Sequence, residues 1–187
     1  QTSLVGAARV WWTFRRFGCD VRILDGGLNA WRKSGGSIET GEIIRRPPAI
    51  ERAPRMIWDD TVNWEDVSFA SRSGAALVVD ARSQGRFEGS EPEPRKGLKQ
   101  GHIPGSINLP FPKLLTADGK LKSEDALEAA LPRVSRETRI ITTCGSGVTA
   151  AILSAAFLSA GFRDVRLYDG SWAEWGARDL PVETGPA

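Results

Sequence analysis

The chain has 187 residues, 41% hydrophobic and 26% charged, with a formal net charge of +2. That balance belongs to a folded globule and excludes intrinsic disorder, and the charge is too small to argue for a nucleic-acid partner. No apolar run reaches the roughly 18 residues of a membrane span; the two cysteines, Cys19 and Cys144, cannot build a disulfide framework; and a single histidine, His102, removes most histidine-based catalysis and metal chemistry.

The first segment reads as a helix over residues 10–17 and a strand at Val21-Arg22-Ile23-Leu24, followed by Asp25-Gly26-Gly27-Leu28-Asn29-Ala30-Trp31. The same series returns near the other end. An apolar helical stretch leads through Ala160-Gly161 to Val165-Arg166-Leu167-Tyr168, then Asp169-Gly170-Ser171-Trp172-Ala173-Glu174-Trp175. Glu39-Thr40-Gly41 recurs as Glu183-Thr184-Gly185 at the same offset. The order of matches indicates two homologous units, the second whole and the first represented by its C-terminal part. Residues 1–41 carry Trp11, Trp12, Phe14, Phe17 and Trp31 on one helix and one strand. Leaving such side chains in water costs roughly 1.5–3 kcal/mol each, so the first unit is expected to need sequence ahead of Gln1. The alternative is that residues 1–41 pack on the second unit as an extension. The opening Gln1-Thr2-Ser3-Leu4 lacks the pattern of a signal peptide. Together with few cysteines, this suggests a cytoplasmic location, or an organelle such as the mitochondrion if a targeting segment lies upstream.

Residues 42–54, with Pro47-Pro48, read as an extended linker. The second unit, 55–187, alternates: a helix over 61–70, the strand Leu77-Val78-Val79-Asp80, and a charged Gly/Pro-rich loop over 82–104. Next comes a helix over 123–131, with Ser123 as N-cap and Glu124 and Asp125 in its first turn. The strand Arg139-Ile140-Ile141-Thr142-Thr143, a helix over 148–160 closed by Gly161, and the strand at 165–168 complete it. Strands alternating with helices predict an α/β fold, a parallel sheet covered on both faces.

Chemistry concentrates in Thr142-Thr143-Cys144-Gly145-Ser146-Gly147-Val148-Thr149-Ala150. A buried strand ends at Cys144, a short glycine-rich loop follows, and an apolar helix starts at once. Successive backbone N–H groups in such a turn can converge on an anion, and the helix N-terminus adds positive potential there. A cysteine in that position is favoured as thiolate, the nucleophilic form. Gly145 and Gly147 are expected to supply left-handed backbone and room for a substrate. Cys19 lacks this setting and reads as structural.

The loop resembles that of the mercaptopyruvate sulfurtransferases, members of the two-domain rhodaneses. Asp80-Ala81-Arg82, Gly85-Arg86-Phe87-Glu88-Gly89, Glu91-Pro92-Glu93-Pro94-Arg95 and Gly101-His102-Ile103-Pro104-Gly105 match the family's motifs in order. Val10-Trp11-Trp12, Phe14-Arg15 and Leu24-Asp25-Gly26-Gly27 resemble the late part of its inactive N-terminal domain. The resemblance implies a rhodanese-like fold and Cys144 as the nucleophile that carries sulfur as a persulfide. It further implies Ser146 as a proton relay whose His and Asp partners come from the N-terminal domain, and a structural role for His102. Arg86 and Arg95 match the positions that hold the substrate's carboxylate and carbonyl, a grip that suits arginine's planar fork. The backbone of Gly145, Gly147, Val148, Thr149 and Ala150 would hold the sulfur anion. The implied partners are a small-molecule sulfur donor, 3-mercaptopyruvate, and a thiol acceptor such as thioredoxin, or cyanide, with no cofactor or metal.

Two neighbouring chemistries separate on physical grounds. Cysteine-loop phosphatases need an arginine to clamp phosphoryl oxygens where this chain has Ala150. Thiosulfate-specific relatives carry cations just after the cysteine, whereas Gly145-Ser146-Gly147-Val148-Thr149 is neutral. Thiosulfate transfer and a non-turnover sulfur carrier or binding module remain as alternatives. A carrier would keep the cysteine but has no need of Arg86 and Arg95.

Overall fold

The computed structural model describes residues 4–42, 55–57 and 59–186. The linker expected over 42–54 lies outside the described residues but for Glu42. Five strands form one parallel sheet in the order β1-β5-β4-β2-β3. They are β1 (Thr61–Val62), β2 (Leu77–Asp80), β3 (Ile107–Asn108), β4 (Ile140–Thr143) and β5 (Val165–Tyr168). β4 lies at the centre between β2 and β5, and all four of its residues are buried.

Side chains alternate across the sheet as the pleat requires. Val79, Ile140 and Leu167 face one core with α5 (Glu124–Ala130) and α6 (Ala150–Ser159). Val78, Ile141 and Tyr168 face the other with α3 (Trp64–Ser73) and α7 (Ser171–Trp175). Both faces are therefore covered, as the alternation of elements predicts. In α6, eight of ten residues are buried, which explains why its sequence is apolar all round rather than striped.

Several local expectations shift. The helix expected over 61–70 begins three residues later, because Thr61 and Val62 pair with Leu167 and Tyr168 as an edge strand. Asn63 then caps α3: its side chain accepts the Asp66 N–H at 2.9 Å while Asp66 accepts the Asn63 N–H at 3.2 Å, a reciprocal capping box. Ser123 takes the N-cap position of α5, but its hydroxyl makes no capping bond. The loop over 82–104 contains a short helix, α4 (Gln84–Glu88). Gly161 follows α6 in left-handed backbone, φ 85°.

In the first segment, α1 runs over Leu4–Arg16, longer than the expected 10–17, and α2 covers Gly27–Lys33. Val21 to Leu24 form no strand. A strand is defined by the ladder it joins, and no neighbouring strand lies beside this stretch among the described residues. α1 lies on α6, with Ala8 and Trp12 buried in the main core. Phe14, Phe17 and Trp31 stay 51%, 39% and 42% exposed, so only part of the segment's aromatic surface finds cover. The two turns of similar sequence share one contact, since Trp31 donates its indole N–H to the Ser37 carbonyl at 2.8 Å and Trp175 donates to the Pro181 carbonyl at 2.9 Å, but they differ in backbone, Gly26 being left-handed and Gly170 right-handed. Among the described residues no helix is long and apolar enough to cross a membrane.

Candidate active site

Cys144 sits at the C-terminal end of the central strand, where the chain leaves β4 and before α6 begins at Ala150. This is the crevice end of a parallel sheet, where ligands usually bind. The residue is buried and its sulfur accepts the Ser146 N–H at 3.5 Å. The loop is held by the first turn of α7. Trp172 N–H donates to the Cys144 carbonyl at 2.9 Å and Ala173 N–H to the Gly145 carbonyl at 3.0 Å. Helix donors that would otherwise lack partners are thus satisfied by the loop, and the carbonyls of Cys144 and Gly145 are occupied in return.

Not every loop amide faces the sulfur, contrary to expectation. The Gly147 N–H goes to the Ser171 hydroxyl at 3.0 Å, as does the Cys144 N–H at 3.2 Å. The glycines also divide their roles. Gly147 adopts φ 74°, and a Cβ there would lie 2.6 Å from Asp169 Oδ1. Gly145 is not left-handed; what it provides is space, since a Cβ would come within 2.8 Å of Arg86 Nη2. Val148 and Thr149 are half-buried and Ala150 fully buried as α6 starts.

Arg86 and Arg95 come together at Gly145, the neighbour of Cys144. Arg86, on α4, places its guanidinium over Gly145, and Arg95 Nη1 donates to the Gly145 carbonyl at 3.2 Å. Arg86 is held by Glu93 through Nη2 to Oε2 at 2.6 Å and Nε to Oε1 at 3.1 Å. Glu93 also accepts Arg82 Nη1 at 2.8 Å. Arg82 is wholly buried: it forks onto Asp80, donates to the Gly101 carbonyl at 2.8 Å, and stacks 4.2 Å from the Trp172 ring. A chain of buried charge therefore runs from the end of β2 to the rim of the cysteine loop. Each member is paired, as buried charge must be.

Glu93 and Ser171 escape sequence reasoning as site residues. Glu93 lies inside Glu91-Pro92-Glu93-Pro94-Arg95, and its signal is an acid among arginines on one loop. Ser171 had a subtler one: it replaces Gly27 of the repeated turn. A further contact comes from the first segment, where Arg9 Nη1 on α1 donates to Asp169 Oδ1 at 2.5 Å and to the Gly147 carbonyl at 3.3 Å.

His102 lies elsewhere. Its ring stacks on Phe87 at 3.8 Å, and Nδ1 sits 2.9 Å from the Phe87 carbonyl. It is buried beneath α4, the structural place expected of it. Cys19 is exposed and makes no disulfide. No group of three or more His, Cys, Asp and Glu among the described residues could hold a metal ion.

The chain is 42% identical over 98% of its length to the 3-mercaptopyruvate sulfurtransferase of Escherichia coli K12, of which it spans 66%. It is 38% identical over 97% of its length to a mitochondrial thiosulfate/3-mercaptopyruvate sulfurtransferase of Arabidopsis thaliana, of which it spans 54%. It therefore covers between about half and two thirds of these relatives. The crystal structure of the 3-mercaptopyruvate sulfotransferase SseA from Escherichia coli, which has the rhodanese fold, superposes with TM-score 0.77. That match has 37% identity and covers 90% of this chain and 63% of the other. The rhodanese-like domain family matches residues 64–178, the span from α3 to the end of α7, and the chain belongs to that family.

Proposed function

We propose that the protein is a sulfurtransferase that takes sulfur from 3-mercaptopyruvate onto Cys144 and passes it to a thiol. The observation that carries this reading is the convergence of Arg86 and Arg95 on Gly145, beside the cysteine. A three-carbon donor has a carboxylate and a carbonyl at one end and a thiol at the other. Two arginines on the rim would hold the first end while the sulfur reaches Cys144.

The Cys144 thiolate attacks the donor's sulfur, and the carbon–sulfur bond breaks. The bonding pair leaves on the donor's carbon as the enolate of pyruvate, which takes up the proton given up by the donor's thiol. Cys144 is left as an anionic persulfide, with the Ser146 N–H positioned at its sulfur. Ser146 would relay the proton. A second thiolate, such as that of a thioredoxin, attacks the outer sulfur and regenerates the Cys144 thiolate; cyanide would leave as thiocyanate. The curated relatives named for 3-mercaptopyruvate support the donor. The plant relatives' double name favours thiosulfate as the second donor to test. Pyruvate release measured with 3-mercaptopyruvate and a thiol, against sulfite release from thiosulfate, decides between them. A higher kcat/KM for thiosulfate overturns the assignment.

A further inference from the structure

Ser171 is the one non-glycine residue with left-handed backbone among the described residues, φ 50°, and it is fully buried. A side chain in that conformation is strained and persists only where its surroundings fix it. In the corresponding turn of the first segment the position is Gly27, at φ 57°. Glycine therefore serves the turn, and the hydroxyl must be what the strain is kept for.

That hydroxyl uses its full capacity of one donor and two acceptor sites. It donates to the Tyr168 carbonyl at 2.8 Å and accepts the N–H groups of Cys144 at 3.2 Å and Gly147 at 3.0 Å. Both ends of the Cys144–Gly147 stretch are thereby tied to one oxygen, and the chain arches over it. The arch leaves the Ser146 N–H facing the Cys144 sulfur. Tyr168, the anchor, ends β5 and is itself fully buried, so the oxygen is fixed to the sheet.

We infer that Ser171 is a positioning residue for the cysteine nucleophile, setting the loop through two backbone amides without touching the substrate. The inference rests on the sulfur-transfer reading and adds the group that shapes its nucleophile. Arg86 and Arg95 meet the loop at Gly145, whereas within the loop the Ser171 hydroxyl binds only the Cys144 and Gly147 amides, so removing it is expected to act on turnover rather than on donor binding.

The test compares wild type with Ser171→Gly and Ser171→Ala in the full chain. Ser171→Gly is the informative variant, since glycine accepts the backbone conformation without strain. Amide hydrogen exchange reads the loop, and steady-state kinetics with 3-mercaptopyruvate reads its consequence. The expected result for Ser171→Gly is lost protection confined to the Cys144 and Gly147 amides, kcat lowered on the order of tenfold or more, and an unchanged KM. Wild-type protection and kcat in Ser171→Gly overturn the inference. So does a rise in KM with protection lost throughout the fold, the mark of a purely structural residue. If wild type itself turns over no 3-mercaptopyruvate, the sulfur-transfer reading fails separately. Exchange then still decides the positioning: loss confined to the loop supports it, and unchanged protection overturns it.

Discussion

Replacing Arg86 by alanine tests the donor grip. Two of its guanidinium nitrogens, Nε and Nη2, are engaged by Glu93, and Nη1 has no partner among the described residues. The side chain is 24% exposed, enough to meet a ligand from solvent yet fixed by a carboxylate that is only 3% exposed. A charge-assisted hydrogen bond from such a group to the donor's carboxylate is worth about 1.5–3 kcal/mol. At 1.4 kcal/mol per tenfold, Arg86→Ala should lower kcat/KM for 3-mercaptopyruvate by about one to two powers of ten. The loss should appear mainly in KM, because a carboxylate remote from the breaking bond is held equally in ground and transition states. Glu93 keeps Arg82 at 2.8 Å, so the fold should survive with lowered stability. Arg86→Lys should restore little, since an ammonium cannot engage Glu93 at two points and still reach the donor. Initial rates of pyruvate release, with thermal melts of each variant, provide the measurement. A cooperatively folded Arg86→Ala with wild-type kcat/KM refutes the reasoning.

Gly145→Ala should impair turnover while melting near wild type, because its Cβ would push against Arg86 Nη2 at 2.8 Å, a side-chain end held in place by Glu93. Glu93→Gln should destabilise the protein by about 1–3 kcal/mol in urea titration, since it leaves Arg82 and Arg86 with a neutral acceptor in a buried site. Burial raises the carboxyl of Asp164, but hydrogen bonds from Arg166 and Arg139 outweigh it and hold the group below its ordinary value of 3.8. A depressed carboxylate stabilises the fold above its unfolded value and loses that contribution as pH falls through the folded one. Asp164→Asn should therefore flatten the fall in melting temperature below pH 3.8, and an unaltered acid limb would refute the role. Cys19→Ser should leave sulfur transfer unchanged, as the thiol is exposed and lacks the glycine-rich strand–loop–helix setting of Cys144.

The strand–loop–helix around Cys144 was legible because a buried strand, close glycines and an apolar helix each leave a mark in one short window. The sheet was legible from alternation alone. β1 was hidden because two residues carry no period, and its pairing with β5 is a tertiary fact. The stretch at 21–24 misled in the opposite sense: its composition matches β5, but β-propensity reports fit to a neighbouring ladder, and none stands beside it among the described residues. Gly145 and Gly147 looked equivalent, yet one gives a backbone angle and the other gives room for a guanidinium, a distinction that depends on Arg86. Ser171 could have been suspected from its alignment with Gly27, since a serine at a turn that glycine serves invites the question of what its hydroxyl binds.

The most direct test of sulfur transfer is the intact mass of the protein after incubation with 3-mercaptopyruvate and no acceptor. The account predicts a gain of one sulfur atom, located on the Cys144 peptide, with one pyruvate released per sulfur gained and the adduct removed by an added thiol. Cys144→Ser should show neither adduct nor pyruvate, since its alcohol is not ionised near neutral pH and cannot carry a persulfide. Unmodified wild type in the presence of released pyruvate, or pyruvate formed by Cys144→Ser, would contradict it.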